Sequence, residues 1–260
     1  MDGELIILGC GGSSGVPAIG NWWGKCDPAE PRNRRTRPSI ALLHGESLAI
    51  VDTGPDFKEQ MNRENLVYPD GIIITHTHAD HINGLDELRT LQRIHKKGRI
   101  PVYASTDTHE KLFRRLDYMF TETENGFYPA VCDQIHVTEG DVITVGDLKM
   151  TCFDQNHGSI KSLGLRIGNI GYSTDVLSLE DRAYDILRGI DTWIVDAASY
   201  HGPAYVHAGL QEVFEMNKRV QAKHVYLTHL SPTMDYAALC AELPEGYMPA
   251  HDGLRLKFTF

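Results

Sequence analysis

Three histidines and an aspartate crowd into six positions of the run Thr75-His76-Thr77-His78-Ala79-Asp80-His81. The run follows an all-apolar stretch, Ile72-Ile73-Ile74, so it starts where a buried strand ends. Side chains alternate along an extended segment, which turns His76 and His78 the same way. Asp80 and His81 fall where the chain bends into the next helix. One short loop thus offers two ligands to each of two neighbouring ions. Imidazole nitrogen with carboxylate oxygen suits zinc, manganese or iron. A solvated histidine-rich loop is the bland alternative. The placement at a strand end, where loops build sites, weighs against it.

The elements that must position these groups read as strands early in each half, with helices after them. Short β-rich runs are expected at 4–8, 40–43, 47–52, 71–75 and 101–104. Apolar residues at 82, 85, 88, 91 and 94 predict one helix, and 107–118 a second. Residues 120–129 have weak periodicity and read as a flap. Strands follow at 142–153, 163–167, 170–173, 192–196, 225–228 and 254–260, with helices near 179–188 and 208–220. No linker separates the halves, so one domain over 1–260 is expected: two sheets face to face with helices outside.

Composition bounds the partners. A formal charge of −10 argues against a general nucleic-acid binder, because phosphate neutralisation needs clustered cations. The five cysteines are scattered, with no CxxC pair, so neither a disulfide framework nor a local thiolate site is expected. The N-terminus has no signal-like stretch, and the chain reads as cytoplasmic with no membrane partner.

The histidine run resembles the HxHxDH signature of the metallo-β-lactamase superfamily, and matching pieces follow in that family's order. The resemblance covers nearly the whole chain and implies an α/β, four-layer αββα sandwich. It implies that His76, His78 and His157 hold one divalent ion, and Asp80, His81 and His229 the other, with Asp175 bridging. Asp52 matches the family's early aspartate behind the ligands. Two ions, zinc or manganese, can share a hydroxide, lower its pKa and neutralise attacking and leaving oxygens. Asp80 counts among the catalytic residues on that footing.

Within the superfamily, the opening Leu8-Gly9-Cys10-Gly11-Gly12-Ser13-Ser14-Gly15-Val16-Pro17 is similar to that of PhnP-like cyclic phosphodiesterases and, more loosely, of tRNase Z. Such a turn can expose backbone N–H groups to phosphate, which makes Gly12, Ser13 and Ser14 candidate substrate contacts. It also fits a plain structural turn. Arg34, Arg35 and Arg37 sit in the only dense basic cluster and resemble the branch's basic run; Arg clamps phosphate bidentately, while a solvated surface run is the alternative. His207 matches a histidine proposed as general acid in the branch, with His201 as the other choice. Trp22 and Trp23 read either as packing residues or as a stacking rim. One departure stands out. The branch's namesake has an N-terminal cysteine-rich zinc site and a histidine after the last ligand. Here Cys26 is the lone cysteine of its stretch and Pro232 replaces the histidine. No structural zinc is therefore expected at Cys26.

The expected function is a dinuclear-metal phosphodiesterase acting on a small cyclic or nucleotide-like phosphodiester, with a homodimer an open option. A tRNase Z-like endoribonuclease lacks support, since no basic arm is inserted. A glyoxalase II-like thioesterase needs an HTPGHT-like segment that Gln155-Asn156-His157-Gly158 does not match. A PqqB-like carrier would have lost ligands that are all present here, and a flavo-diiron pattern would put a glutamate among them.

Overall fold

The computed structural model describes residues 2–122 and 129–260. Residues 123–128, most of the expected flap, lie outside the described residues. The first half holds strands β1 (Gly3–Gly9), β2 (Ser39–His44), β3 (Ser47–Val51), β4 (Gly71–Ile73), β5 (Ile100–Ala104) and β6 (Cys132–His136), and helices α1 (Phe57–Arg63), α2 (Ala79–Ile82), α3 (Glu87–His95) and α4 (Thr106–Phe120). The second half holds β7 (Val142–Val145), β8 (Leu148–His157), β9 (Ile160–Ile167), β10 (Ile170–Ser173), α5 (Asp181–Leu187), β11 (Thr192–Asp196), α6 (Leu210–Val220), β12 (His224–Thr228), α7 (Tyr236–Glu242), β13 (Tyr247–Pro249) and β14 (Arg255–Phe258).

The strands form two seven-stranded sheets, ordered β14-β1-β2-β3-β4-β5-β6 and β13-β12-β11-β10-β9-β8-β7. Alternation along each strand sorts the apolar side chains into three layers. Leu5 and Ile7 of β1 join Ile40, Leu42, Leu165, Tyr172 and Ile194 between the sheets. Ile6 and Leu8, one residue out of phase, face the other way with Phe57, Leu85, Leu88 and Leu112 of the first helical layer. Trp193, Val195, Val213, Met216 and Leu239 fill the second helical layer. The result is the expected four-layer αββα sandwich. Each fully buried Leu, Ile or Val contributes about 1.5–3 kcal/mol, so three such layers hold the strand ends firmly in place.

Two expected elements divide. The strand foreseen at 142–153 is the β7–β8 hairpin, pairing Val145 with Leu148 around Gly146, whose φ is +56°. The helix foreseen from 82 breaks at Gly84, where a Cβ would lie 2.1 Å from the Gly54 carbonyl oxygen. The Gly84 amide donates to Thr53 O at 2.8 Å instead of continuing the helix, so α2 ends before it and α3 starts at Glu87. Helices α1 and α7 and strands β6 and β13 were not expected. Among the described residues no helix is long and apolar enough to cross a membrane.

Candidate metal centre

The parallel pairings β3–β4 and β10–β11–β12 place the carboxyl ends of these strands side by side, at one rim of the sandwich. Asp52 follows β3, the histidine run follows β4, and His157 ends β8. Asp175 lies two residues past β10, Asp196 ends β11, and His229 follows β12. The Leu163 amide donates to Thr75 O at 3.0 Å, joining the second sheet to the histidine loop. Asp52, Asp175 and His229 all have left-handed backbones, with φ of 64°, 52° and 55°. Such conformations cost on the order of 1–3 kcal/mol each and persist only where surroundings impose them. At Asp175 those surroundings are visible: Ser162 Oγ donates to its carbonyl at 2.7 Å, and Gln155 Nε2 donates to Thr174 O at 2.9 Å.

Three groups of ligand atoms result, the atoms of each within 4.8 Å of one another: His76, His78, His157 and Asp175; Asp80, His81, Asp175 and His229; and Asp196, His207 and His229. Asp175 belongs to the first two. Most of the imidazoles are held from behind. Asp52 accepts from His81 Nδ1 at 2.6 Å, and from the Thr75 amide and hydroxyl at 2.8 Å each. With its proton given to Asp52, the Thr75 hydroxyl accepts from His76 Nδ1 at 3.0 Å. Val206 O accepts from His157 Nδ1 at 3.1 Å. These tethers leave Nε2 of His76, His81 and His157 directed at Asp175, at 3.7, 3.1 and 3.6 Å. His229 Nε2 lies 3.6 Å from both Asp80 and Asp175.

The donor set fits divalent cations. The Nε2 atoms of His76 and His229 and Oδ2 of Asp80 are buried without a hydrogen-bond partner. Buried polar atoms rarely stay unpaired, and each costs about 1–3 kcal/mol. Without a cation, protons must serve instead. Burial would lower His229, but Asp175 and Asp196 overcome it and raise it to about 9. His81 is raised in the same way, by Asp175 and Asp52 against its burial. Burial also opposes ionisation of Asp175, yet His229, His81 and His76 hold it well below the carboxylate range. Burial lowers His157 to about 4 and depresses His76 and His78, so these three are neutral and ready to ligate.

His207 completes the wall. Its Nδ1 lies 2.7 Å from Asp196 Oδ2, and its ring stacks on His229 with centroids 4.4 Å apart and a 15° interplanar angle. Asp196 is fully buried and also accepts from the Val176 amide at 3.2 Å. Sequence reasoning passed over Asp196, although an acidic residue closing an apolar strand, Thr192-Trp193-Ile194-Val195-Asp196, is itself a signal. It also missed Thr75 and the Val206 carbonyl, whose roles depend on backbone geometry.

The other expected residues divide. His201 is exposed, its ring 6.3 Å from that of Tyr200, and it joins none of the three ligand groups. Gly12 abuts His229, where a Cβ would come within 3.4 Å of its carbonyl oxygen. Its N–H is already given to Leu230 O at 3.1 Å, so it is not a free phosphate donor. Ser13 and Ser14 are exposed beside it. Arg34 is exposed and lies over the Trp23 ring at 5.1 Å. Arg37 pairs with Asp56 at 2.9 Å. Arg35 corrects the expectation of a phosphate clamp: it is 2% exposed and faces inward. It donates to Asn33 Oδ1 at 3.1 Å and Ser231 O at 3.5 Å, tying the basic loop to the segment after His229. Cys26 is buried, with its thiol 3.6 Å from Met234 O, and no cysteine enters a ligand group among the described residues.

Comparison with known proteins agrees with this geometry. The β-lactamase superfamily domain matches residues 49–230. A crystal structure of a diphosphatase from the PhnP family superposes with a TM-score of 0.88 at 35% identity, over 99% of this chain and 98% of that one. Ribonuclease Z of Pyrococcus furiosus is 23% identical, over 95% of this chain and 93% of its own length. A Porphyromonas gingivalis protein named octanoyltransferase is 27% identical over 96% of this chain, which spans about half (51%) of that relative. Both the domain match and the end-to-end likeness to a PhnP-family protein show that this chain belongs to the β-lactamase superfamily, in its PhnP-like branch.

Proposed function

We propose that the chain is a metal-dependent hydrolase of small cyclic or nucleotide-like phosphodiesters. His76, His78 and His157 would hold one divalent cation, zinc or manganese, and Asp80, His81 and His229 a second, with Asp175 shared. The observation that carries this assignment is the pair of ligand groups meeting at one carboxylate, with a hydrogen-bonded histidine beside them. Cations bound there would supply Lewis acidity and an acidified water.

The chain's own residues do the rest. Asp52 and Val206 O fix the tautomer and aim of His81 and His157, as carboxylates and carbonyls behind metal-binding imidazoles do. Asp196 accepts a hydrogen bond from His207 Nδ1–H, which leaves Nε2 as the atom that would hand a proton to a leaving oxygen. Ser13, Ser14 and Arg34 are exposed and available to meet the phosphate or the group beyond it. All five cysteines are free thiols, which suits the cytoplasm. Two relatives bear the names diphosphatase and ribonuclease, which favours phosphate esters; the relative named octanoyltransferase is about twice this chain's length.

A hydrolysis panel tests the proposal: bis-p-nitrophenyl phosphate, a 2′,3′-cyclic nucleotide, phosphoribosyl cyclic phosphate and an acyl thioester, each with and without added zinc or manganese. Metal-dependent turnover of phosphodiesters is expected. Turnover of the thioester alone would overturn it.

A further inference from the structure

Eight described residues other than glycine have a left-handed backbone. Five have ordinary or already stated reasons. Lys96 and Gln221 cap helix C-termini, and Asp52, Asp175 and His229 belong to the metal centre. Asn21 and Asn65 are of the type that tolerates this conformation. Tyr205, at φ 59°, is the exception.

Tyr205 occupies a two-residue turn closed by Ala204 N to His207 O at 3.0 Å and His207 N to Ala204 O at 3.1 Å. Turns that need a positive φ take Gly, Asn or Asp, and an aromatic residue there is a local cost. Packing gives nothing back, because Tyr205 is 98% exposed. The turn is nevertheless firmly placed. Val206, the next residue, accepts the His157 Nδ1 proton, and its side chain covers Gly158, where a Cβ would meet Val206 Cγ1 at 2.3 Å. His207 follows, held by Asp196. The Tyr205 side chain thus extends into solvent from a turn that lies one residue from a metal-ligand tether and two from the proposed acid.

We infer, on the footing of the phosphodiesterase reading above, that Tyr205 is a stacking platform for a planar base, and that the chain takes nucleotide-type phosphodiesters in preference to bare sugar or alkyl ones. A tyrosine offers a large flat face with little side-chain entropy to lose, and stacking needs no charge. The net charge of −10 disfavours a long polyanion, so the base belongs to a single nucleotide unit.

The test compares adenosine 2′,3′-cyclic phosphate with methyl riboside 2,3-cyclic phosphate, which has the same leaving alkoxide and no base. Stacking of one base corresponds to a preference of about ten-fold or more in kcat/KM for the adenosine compound. Tyr205→Gly, which also suits the backbone, should erase that preference by raising KM for the adenosine compound alone. Tyr205→Phe should keep it. Trp22→Ala, at the other exposed aromatic that the sequence offers for stacking, should leave it intact. An equal loss on both compounds in Tyr205→Gly would assign the turn a structural role and overturn the inference. So would an undiminished preference in that variant, or a selective loss in Trp22→Ala. Calorimetric titration with AMP reads binding without turnover. If neither ester is cleaved, the phosphodiesterase reading fails, yet weaker AMP binding by Tyr205→Gly alone would still support the platform, and unchanged binding would refute it.

Discussion

Replacing His207 separates proton donation from everything else at the centre. His207→Asn is the suitable change. Alanine would strip the fully buried Asp196 of its 2.7 Å partner, whereas the asparagine amide can donate to that carboxylate. Losing a hydrogen bond to a buried carboxylate that keeps only the Val176 amide costs about 1.5–3 kcal/mol, enough to blur the result with misfolding. His207 is not among the seven proposed ligands, so metal content should be unaltered. A positioned general acid contributes about 10²- to 10⁴-fold, equivalent to about 3–5 kcal/mol of barrier. That factor is needed when the leaving group is a ribose alkoxide and hardly at all when it is p-nitrophenolate. His207→Asn should therefore lose about a hundred-fold or more on a 2′,3′-cyclic nucleotide, and less than about ten-fold on bis-p-nitrophenyl phosphate. Steady-state kinetics with both esters, alongside metal analysis, reads the difference. Equal losses on the two would refute the acid assignment and leave His207 a structural support for His229, on which it stacks.

Three further outcomes follow from the same geometry. Asp52→Asn removes the carboxylate 2.6 Å from His81 Nδ1 and should weaken one metal by about 10- to 100-fold in a chelator competition; unchanged affinity would contradict the tether. Cys26→Ser should leave metal stoichiometry unchanged and shift the melting temperature by no more than about 4 °C, whereas loss of one metal equivalent would show a thiolate site. In the metal-free chain, His229 is raised to about 9 from an unfolded value near 6.5, so its stabilisation is full below about pH 6.5 and lost as pH rises through 9. His157, lowered to about 4, acts in the opposite sense, its contribution being lost as pH falls from about 6.5 towards 4. Urea midpoints with chelator present should thus peak near pH 6.5, and a midpoint still rising towards pH 9 would contradict the charge balance.

What the sequence displays and what it hides have physical reasons. Short all-apolar runs expose the sheets, because a strand covered on both faces needs apolar side chains on each: Leu5 and Ile7 fill one layer, Ile6 and Leu8 the next. The histidine run is conspicuous because residue types that bind metal seldom crowd together. The apolar repeat from Ile82 to Ile94 misleads, because its spacing continues across Gly84, where the break comes from contact with Gly54, a neighbour distant in sequence. β6 is obscured by its composition: Asp133 and Gln134 suit a strand only as the exposed edge of its sheet. Arg35 shows the limit of reading charge from a local run. Nothing local distinguishes it from Arg34 and Arg37, yet Asn33 and Ser231 draw it inside. Asp196 was hidden for a related reason, since its partner His207 lies across a loop whose course sequence does not reveal.

The most direct test of the central claim is a metal titration of chelator-stripped protein, with bound zinc or manganese measured by elemental analysis and turnover of bis-p-nitrophenyl phosphate followed at each step. Two ligand groups joined at Asp175 predict that both binding and activity rise to a plateau at two equivalents per chain. Full activity at one equivalent or fewer, or a second equivalent bound without effect on turnover, would contradict a two-metal centre.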